Sequence, residues 1–301
     1  MEGLRRTVRR LRFFYKPDCR ELYREHMADY LRALLFPFVG GGRAVFKDGT
    51  EVRIPRPYID MLATCCRLRS IGARPMWRPG EMEVEFKGFR FFGPPDMKLM
   101  PLSLRGFLVE DVWKTGGDAL SGKTVMDVGG HIGVFAVACA KRGALVHVFE
   151  PFPVFQEYIR KNAEANGVAD RVVVHGVGLS DRDQRIDGAA ALAEIASSSH
   201  GGGGWEGKGL AISFVKAVDY LQGQFIGEVH FLKMNCEGCE YALLDDERFL
   251  DFVRPERIAL EYHRGGEPID AALRRRGYEV DWEDGSPERR ARKKGRIFAR
   301  R

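Results

Sequence analysis

Apolar and polar positions follow two different rhythms along this chain, and the change falls near residue 104. Before it, Glu2 to Phe14 and Asp18 to Phe36 carry apolar residues at helical spacing, with Asp18 after Pro17 suited to cap the second helix and Pro37 to stop it. Ala44 to Ile54 alternates about Asp48-Gly49, which predicts a hairpin. Tyr58 to Ser70 predicts a further helix, and Met82 to Phe92 a second hairpin around Lys87-Gly88. Residues 1–103 therefore read as an α+β accessory region.

From Leu104 onward, short and almost wholly apolar runs alternate with helical stretches. A helix over Leu104 to Leu120 leads in. Thr124 to Met126, Leu145 to Phe149, Val172 to Val177, His230 to Met234 and Ile258 to Tyr262 predict five buried parallel strands. Val134 to Arg142 and Val154 to Asn166 predict the first two crossover helices, so residues 104–301 read as one doubly wound, Rossmann-like α/β domain. Tyr278 to Trp282 and Arg296 to Ala299 are placed to close the sheet as a terminal antiparallel pair. Ala189 to Gly209, rich in Ala, Ser and Gly, reads either as a substrate lid presenting Ser197, Ser198, Ser199 and His200 or as a plain insertion.

Composition narrows the classes. No apolar run approaches the roughly 20 residues that span a bilayer, and Leu34 to Val39 is broken by Pro37. The opening MEGLRRTVRRLRFF is basic but has no apolar core or small-residue cleavage site, so no signal peptide is expected. Cys19, Cys65, Cys66, Cys139, Cys236 and Cys239 lack the spacing of a disulfide scaffold, which points to a reducing, cytoplasmic setting. The net charge of +6 is concentrated at Arg5 to Arg12 and at Arg289 to Arg301. Such clusters suit nucleic acid or anionic headgroups, but the second lies at the tip of the last hairpin and has no aromatic platform, so solvated faces are the simpler account.

The richest segment is Thr124 to Pro151, TVMDVGGHIGVFAVACAKRGALVHVFEP, a strand, glycine turn, helix and strand with an acid at each strand end. Gly129, Gly130 and Gly133, with His131 between them, let a ligand approach the backbone, and Glu150 can accept from both hydroxyls of a ribose before Pro151 turns the chain away. A dinucleotide fingerprint with Gly133 last needs a glycine at position 128, which is Val. Asp127 would repel a pyrophosphate and attract an ammonium. Both misfits favour S-adenosylmethionine as the cofactor. Leu179, Ser180 and Asp181 should lie beside the first two strand ends, where Ser180 or Asp181 could reach an adenine edge or simply cap the strand.

A second motif, FLKMNCEGCEYALL at Phe231 to Leu244, ends a strand at Met234 and turns through Asn235, Glu237 and Gly238. With VMDVGGHIG, VFEP, KNAEANGV and LEYH at Leu260 to His263, it resembles the FkbM family of methyltransferases, whose pattern includes LK-x-D-x-EG-x-E. The resemblance covers about Leu104 to Tyr262. It implies methyl transfer from S-adenosylmethionine, usually to an oxygen of a small molecule, sugar or lipid-linked glycan. It places Asp127, Gly129 and Gly133 on the methionine side and Glu150 on the ribose, with Glu237 and Glu240 matching the acidic pair. Asn235 stands where the family usually has Asp, and an amide is neither a general base nor a strong ligand for a hard cation. No metal is expected. Cys236 and Cys239 have no second pair to complete a zinc site and read as small buried side chains.

For a hydroxyl acceptor the candidate bases are His263, Glu237 and His131, with His263 favoured because an unperturbed imidazole titrates near working pH. The alternatives are an RNA methyltransferase using the basic termini, although no N-P-P-[YFW] motif or pyrimidine-attacking Cys is present, and a non-catalytic cofactor-fold binding subunit. The acceptor and the oligomeric state are not legible.

Overall fold

The computed structural model describes residues 43–45, 51–53, 62–78, 80–94, 97, 100–116, 119–188, 211–283 and 293–301. The expected helices Glu2 to Phe14 and Asp18 to Phe36, the 189–209 segment and the basic runs at 5–12 and 289–292 lie outside them. The chain divides into two compact units, Met1–Arg105 and Gly106–Arg301.

In the first unit β1 (Arg43–Val45) and β2 (Glu51–Arg53) pair antiparallel, Val45 opposite Glu51; the Asp48-Gly49 turn expected between them lies outside the described residues. Helix α1 (Leu62–Ser70) follows. The Met82 to Phe92 hairpin forms as β4 (Glu81–Phe86) and β5 (Phe89–Gly93), turning through Lys87 and Gly88, both with positive φ. A strand that the alternation did not announce, β3 (Arg74–Arg78), adds to its edge. It carries Arg at both ends and a proline, which mask its period. Arg78 and Arg90 both pair with the buried carboxylate of Glu83, as an ion inside a sheet requires.

The expected helix over Leu104 to Leu120 is shorter and begins earlier: α2 covers Met100–Leu108. Beyond it Asp111 and Lys114 take positive φ, and Asp111 Oδ1 accepts from the Thr115 amide and hydroxyl, both at 2.9 Å. These local bonds offer the backbone an alternative to the helix ladder.

The second unit is built on a seven-stranded mixed sheet in the order β14-β15-β13-β12-β6-β7-β8. Strands β6 (Thr124–Val128), β7 (Leu145–Phe149), β8 (Val172–His175), β12 (Phe231–Met234) and β13 (Arg257–Tyr262) are parallel. As expected, β14 (Glu279–Trp282) and β15 (Gly295–Arg300) close it antiparallel. Crossover helices α3 (Val134–Lys141) and α4 (Pro153–Ala165) match the forecast segments.

Because side chains alternate along a strand, Met126, Val128, Leu232, Met234, Ile258 and Leu260 face one core. That core is completed by α5 (Ala217–Gly223), α6 (Cys239–Asp245), α7 (Glu247–Val253) and α8 (Glu267–Arg275). On the opposite face Phe231 meets Phe135 of α3 at a centroid distance of 6.0 Å. Each large apolar side chain so buried contributes about 1.5–3 kcal/mol.

The forecast third strand stops two residues short, at His175. Residues Gly178–Ser180 form β9 of a separate three-stranded sheet with β10 (Gln184–Asp187) and β11 (Ala211–Lys216). Gly178 makes that sheet close: a Cβ there would lie 2.5 Å from the Phe214 ring. Among the described residues no helix is long and apolar enough to cross a membrane.

Candidate functional site

Strands β13, β12, β6 and β7 are parallel neighbours, so their carboxyl ends share one edge of the sheet. The glycine turn lies on this edge. Gly129 has φ +85°, and a Cβ on it would fall 2.0 Å from the Asn235 carbonyl oxygen. A Cβ on Gly130 would fall 2.1 Å from Val148 Cγ1. These glycines are therefore required by the packing of the turn on β7 and on the segment after β12, in addition to any ligand. The Gly129 amide donates to Phe149 O at 3.0 Å, which ties the turn to the end of β7. Gly133 takes φ +81° at the start of α3.

Asp127 is fully buried at the end of β6, and a cation of the protein itself already meets its carboxylate. Lys233 Nζ donates to its Oδ1 at 2.7 Å and to Gly129 O at 2.7 Å. The ammonium also lies over the Trp113 and Phe135 rings, 5.5 and 5.9 Å from their centroids. Burial pushes the Asp127 carboxyl up, and the attraction of Lys233 opposes it. Its Oδ2 stays buried with no hydrogen-bond partner. Lys233 is the functional-face residue that the site assignment missed. Its signal was a lysine inside the apolar strand FLKM, since a buried lysine needs a carboxylate.

Glu150, just past β7, is buried, with Oε2 accepting from the His131 amide at 2.8 Å and Oε1 from the Phe152 amide at 3.1 Å. Burial raises its pKa to about 7 against the pull of these two N–H groups and of Lys233. Each oxygen keeps a further lone pair for a diol. His131 takes φ +53°, and its ring packs on Phe155 at 4.6 Å. Burial, aided by Lys233, lowers its pKa to about 4, so it is a neutral packing group. Pro151 starts the turn into α4, whose first residue is Pro153.

Leu179 and Ser180 are buried in β9, and Ser180 Oγ donates to Asp181 Oδ1 at 3.1 Å while Arg182 approaches the same oxygen at 3.7 Å. Leu179 and Ser180 thus lie in a strand of the small sheet, with Asp181 just past its end, and Leu179 packs in the same core as Val128 and Phe149. Behind Glu150 stands His175, its carbonyl accepting from the Glu150 amide at 3.1 Å. Its ring stacks on Phe149 at 4.5 Å and bonds to His147 at 3.1 Å and Tyr220 at 3.3 Å. Burial and His147 hold His175 down to about 4.

On the other side of the glycine turn, the Asn235 amide donates to Val128 O at 2.9 Å, and Asn235 Oδ1 is buried without a partner. Glu237 and Gly238 take positive φ. Glu240, fully buried in the first turn of α6, accepts from the Gly238 amide at 2.9 Å and faces His263 Nδ1 at 2.9 Å. His263 Nε2 lies 3.4 Å from Glu237 Oε2 and 3.8 Å from Glu261 Oε1. Burial alone would depress this imidazole, but Glu237 and Glu240 overcome it and raise the pKa to about 9. His263 is therefore an imidazolium at neutral pH, which corrects its assignment as the favoured base. Lys294 Nζ stands 3.6 Å from Glu237 Oε2.

Cys236 and Cys239 are joined by a disulfide and are half-buried, not separate buried side chains. Their sulfurs cluster with a Glu240 oxygen within 4.8 Å, but bonded to each other they are not thiolate ligands.

The donor set fits S-adenosylmethionine. Two unpartnered buried oxygens, Asp127 Oδ2 and Asn235 Oδ1, sit at adjacent strand ends and lack the kind of donor that an ammonium supplies. Glu150 supplies the acceptor pair a ribose needs.

The family profile described as Methyltransferase FkbM domain matches residues 127–280, just over half of the chain. Among curated proteins none matches. Among solved structures, the methyltransferase FkbM from Methylobacillus flagellatus is 17% identical with a TM-score of 0.42, covering 67% of this chain and 54% of its own. Trm5b from Pyrococcus abyssi is 16% identical with a TM-score of 0.41, covering 73% and 55%. TYW2 from M. jannaschii, solved with AdoMet, is 14% identical with a TM-score of 0.42, covering 73% and 85%. The chain thus spans little more than half the length of the first two.

Proposed function

We propose, since the chain belongs to the FkbM family of methyltransferases, that it methylates a hydroxyl of a small molecule, sugar or lipid-linked glycan. S-adenosylmethionine is the cofactor, and once bound it offers an electrophilic methyl carbon on a sulfonium. The observation that carries the reading is the cradle of buried acceptors at the sheet edge: Asp127 Oδ2 and Asn235 Oδ1 for the ammonium, Glu150 for the ribose. On this reading residues 104–301 form the methyltransferase domain, and residues 1–103 are an accessory region that helps select the acceptor.

In-line displacement needs alignment and exclusion of water more than strong acid or base chemistry. Glu237, partly exposed at the turn after β12, takes the acceptor proton as the hydroxyl loses it. His263, held charged by Glu240 and Glu237, is a positioning residue that fixes the Glu237 carboxylate. Among the basic side chains described near the carboxyl end, Lys294 pairs with Glu237, Arg296 with Glu261 and Glu283, and Arg300 with Glu279. These pairings lower the charge that the three side chains offer to a phosphate backbone, and so favour a hydroxyl acceptor over RNA.

The test is methyl transfer from labelled S-adenosylmethionine to a panel of hydroxylated glycans and small alcohols, beside bulk tRNA, with O-methylation read by mass spectrometry. Glu237→Gln should lower kcat by about 100-fold with cofactor affinity unchanged. Label appearing in tRNA alone would overturn the acceptor class, and no cofactor binding at all would overturn the enzymatic reading.

A further inference from the structure

We infer that Cys236 and Cys239 form a reversible dithiol–disulfide modification site whose state is read by the cofactor loop. The bond spans three positions in the turn between β12 and α6. A bond closing so short a loop removes little chain entropy, so stapling the fold does not account for it. Both residues are half-buried, so a small dithiol can reach them, whereas Cys65 and Cys139 are buried and outside the disulfide.

Two contacts carry the state inward. A Cβ on Gly129 would meet Asn235 O at 2.0 Å and Cys236 Cα at 3.3 Å, so the backbone at Cys236 lies directly against the glycine turn. The Asn235 amide is bonded to Val128 O, at the end of the strand that feeds that turn. Any loosening of residues 235–239 is therefore felt at Gly129.

Glu240 makes the two states chemically distinct. Its Oε2 lies 3.5 Å from Cys236 Sγ and accepts from the Gly238 amide at 2.9 Å, while Oε1 faces His263. In the disulfide the sulfur has no hydrogen to give. After reduction a Cys236 thiol can donate to Oε2 and compete with Gly238 for it.

The exchange is balanced with a dithiol as the reductant. One thiolate of the dithiol attacks a sulfur, the Cys236–Cys239 bond breaks and a mixed disulfide forms. The second thiol then attacks the mixed disulfide and releases the protein sulfur, so two electrons and two protons end on the cysteines and the dithiol leaves as its own disulfide. A disulfide oxidant reverses the sequence.

The test uses the full chain, oxidised and then reduced with dithiothreitol under native conditions. Differential alkylation should label Cys236 and Cys239 only after reduction. Hydrogen exchange over 129–133 should quicken on reduction, and S-adenosylmethionine affinity, which alone rests on the proposed function, should fall about fivefold or more. The C236S/C239S double variant should show the faster exchange with or without reductant. If that variant fails to fold, the wild-type comparison still decides. Cysteines that resist native reduction, or exchange over 129–133 that is the same in both states, would overturn the inference. Absence of cofactor binding in both states would overturn the proposed function instead, leaving the exchange measurement to decide this one.

Discussion

Replacing Glu150 by glutamine isolates a buried carboxylate whose charge should govern both stability and cofactor affinity. The side chain accepts two backbone N–H groups, at 2.8 and 3.1 Å, yet burial still lifts its pKa from 4.5 to about 7. At 1.36 kcal/mol per pKa unit, that difference amounts to about 3 kcal/mol. The sign follows from linkage: the folded protein holds this proton more tightly than the unfolded chain, so the contribution is most favourable below pH 4.5 and is lost as pH rises through about 7. Glutamine does not titrate. It keeps an acceptor for one of the two N–H groups and turns its own NH₂ toward the other, which costs about 1–3 kcal/mol. At pH 8 that loss and the relief of the buried charge oppose each other, and E150Q should lie within about 2 kcal/mol of wild type in urea unfolding. At pH 5 only the loss remains, so the variant should be the less stable protein. Binding gives the sharper readout. If the ribose needs the ionised form, wild-type affinity at pH 6 should be about tenfold below its plateau, because only about one molecule in ten is then ionised. E150Q should bind about 10- to 100-fold more weakly than wild type at pH 8, with no pH dependence of this origin. Calorimetric titration from pH 6 to 8 measures both. A flat wild-type profile together with unchanged affinity in E150Q would falsify the assignment of Glu150 to the cofactor.

Lys233→Met strands the fully buried Asp127 and should cost about 3–5 kcal/mol in urea unfolding, part of which returns in the D127N/K233M double variant. A single-variant loss under about 1 kcal/mol would mean that the pair is not buried as described. Gly129→Ala puts a Cβ 2.0 Å from Asn235 O at φ +85° and should lower Tm by about 4 °C or more while abolishing cofactor binding. Retained binding at full stability would show that the turn does not pack on residue 235. The imidazolium of His263 stabilises the fold fully below pH 6.5, and this contribution is lost as pH rises through about 9, so unfolding midpoints of wild type and His263→Gln should converge above pH 9. Parallel curves from pH 6 to 10 would remove the charged pair from the account.

What could be read from the chain alone depended on whether the information was local. Strands β6, β7, β12 and β13 are buried on both faces, so each is a nearly continuous apolar run between turn residues, and Asp127 and Glu150 were found by their positions at the ends of such runs. The small sheet of β9, β10 and β11 was not legible, because Gly178–Ser180 reads as a turn until Phe214, distant in sequence, is brought against Gly178. Helical periodicity carried the forecast helix to Leu120, whereas the Asp111 side chain ends that conformation with hydrogen bonds that periodicity does not register. The charge on His263 was furthest from view. It depends on Glu237 and Glu240, which reach the ring from the turn after β12 and from α6.

The same distinction bears on Asn235. Judged from sequence, its amide removes a base or a metal ligand from the place where the family usually keeps Asp. In three dimensions Asn235 N bonds to the end of β6, one residue past Asp127, whose charge is already matched by Lys233. A second carboxylate at position 235 would bring another negative charge to the strand end beside Asp127, whose partner Lys233 already serves Gly129 O as well. Like charges in such a site force one group to take up a proton. The amide avoids this and still offers Oδ1 as an acceptor. It therefore separates the two tasks of the sheet edge. On the proposed reading, ammonium recognition stays with groups at the ends of β6 and β12, while proton acceptance moves one turn outward to Glu237, where His263 and Lys294 flank the carboxylate at 3.4 and 3.6 Å.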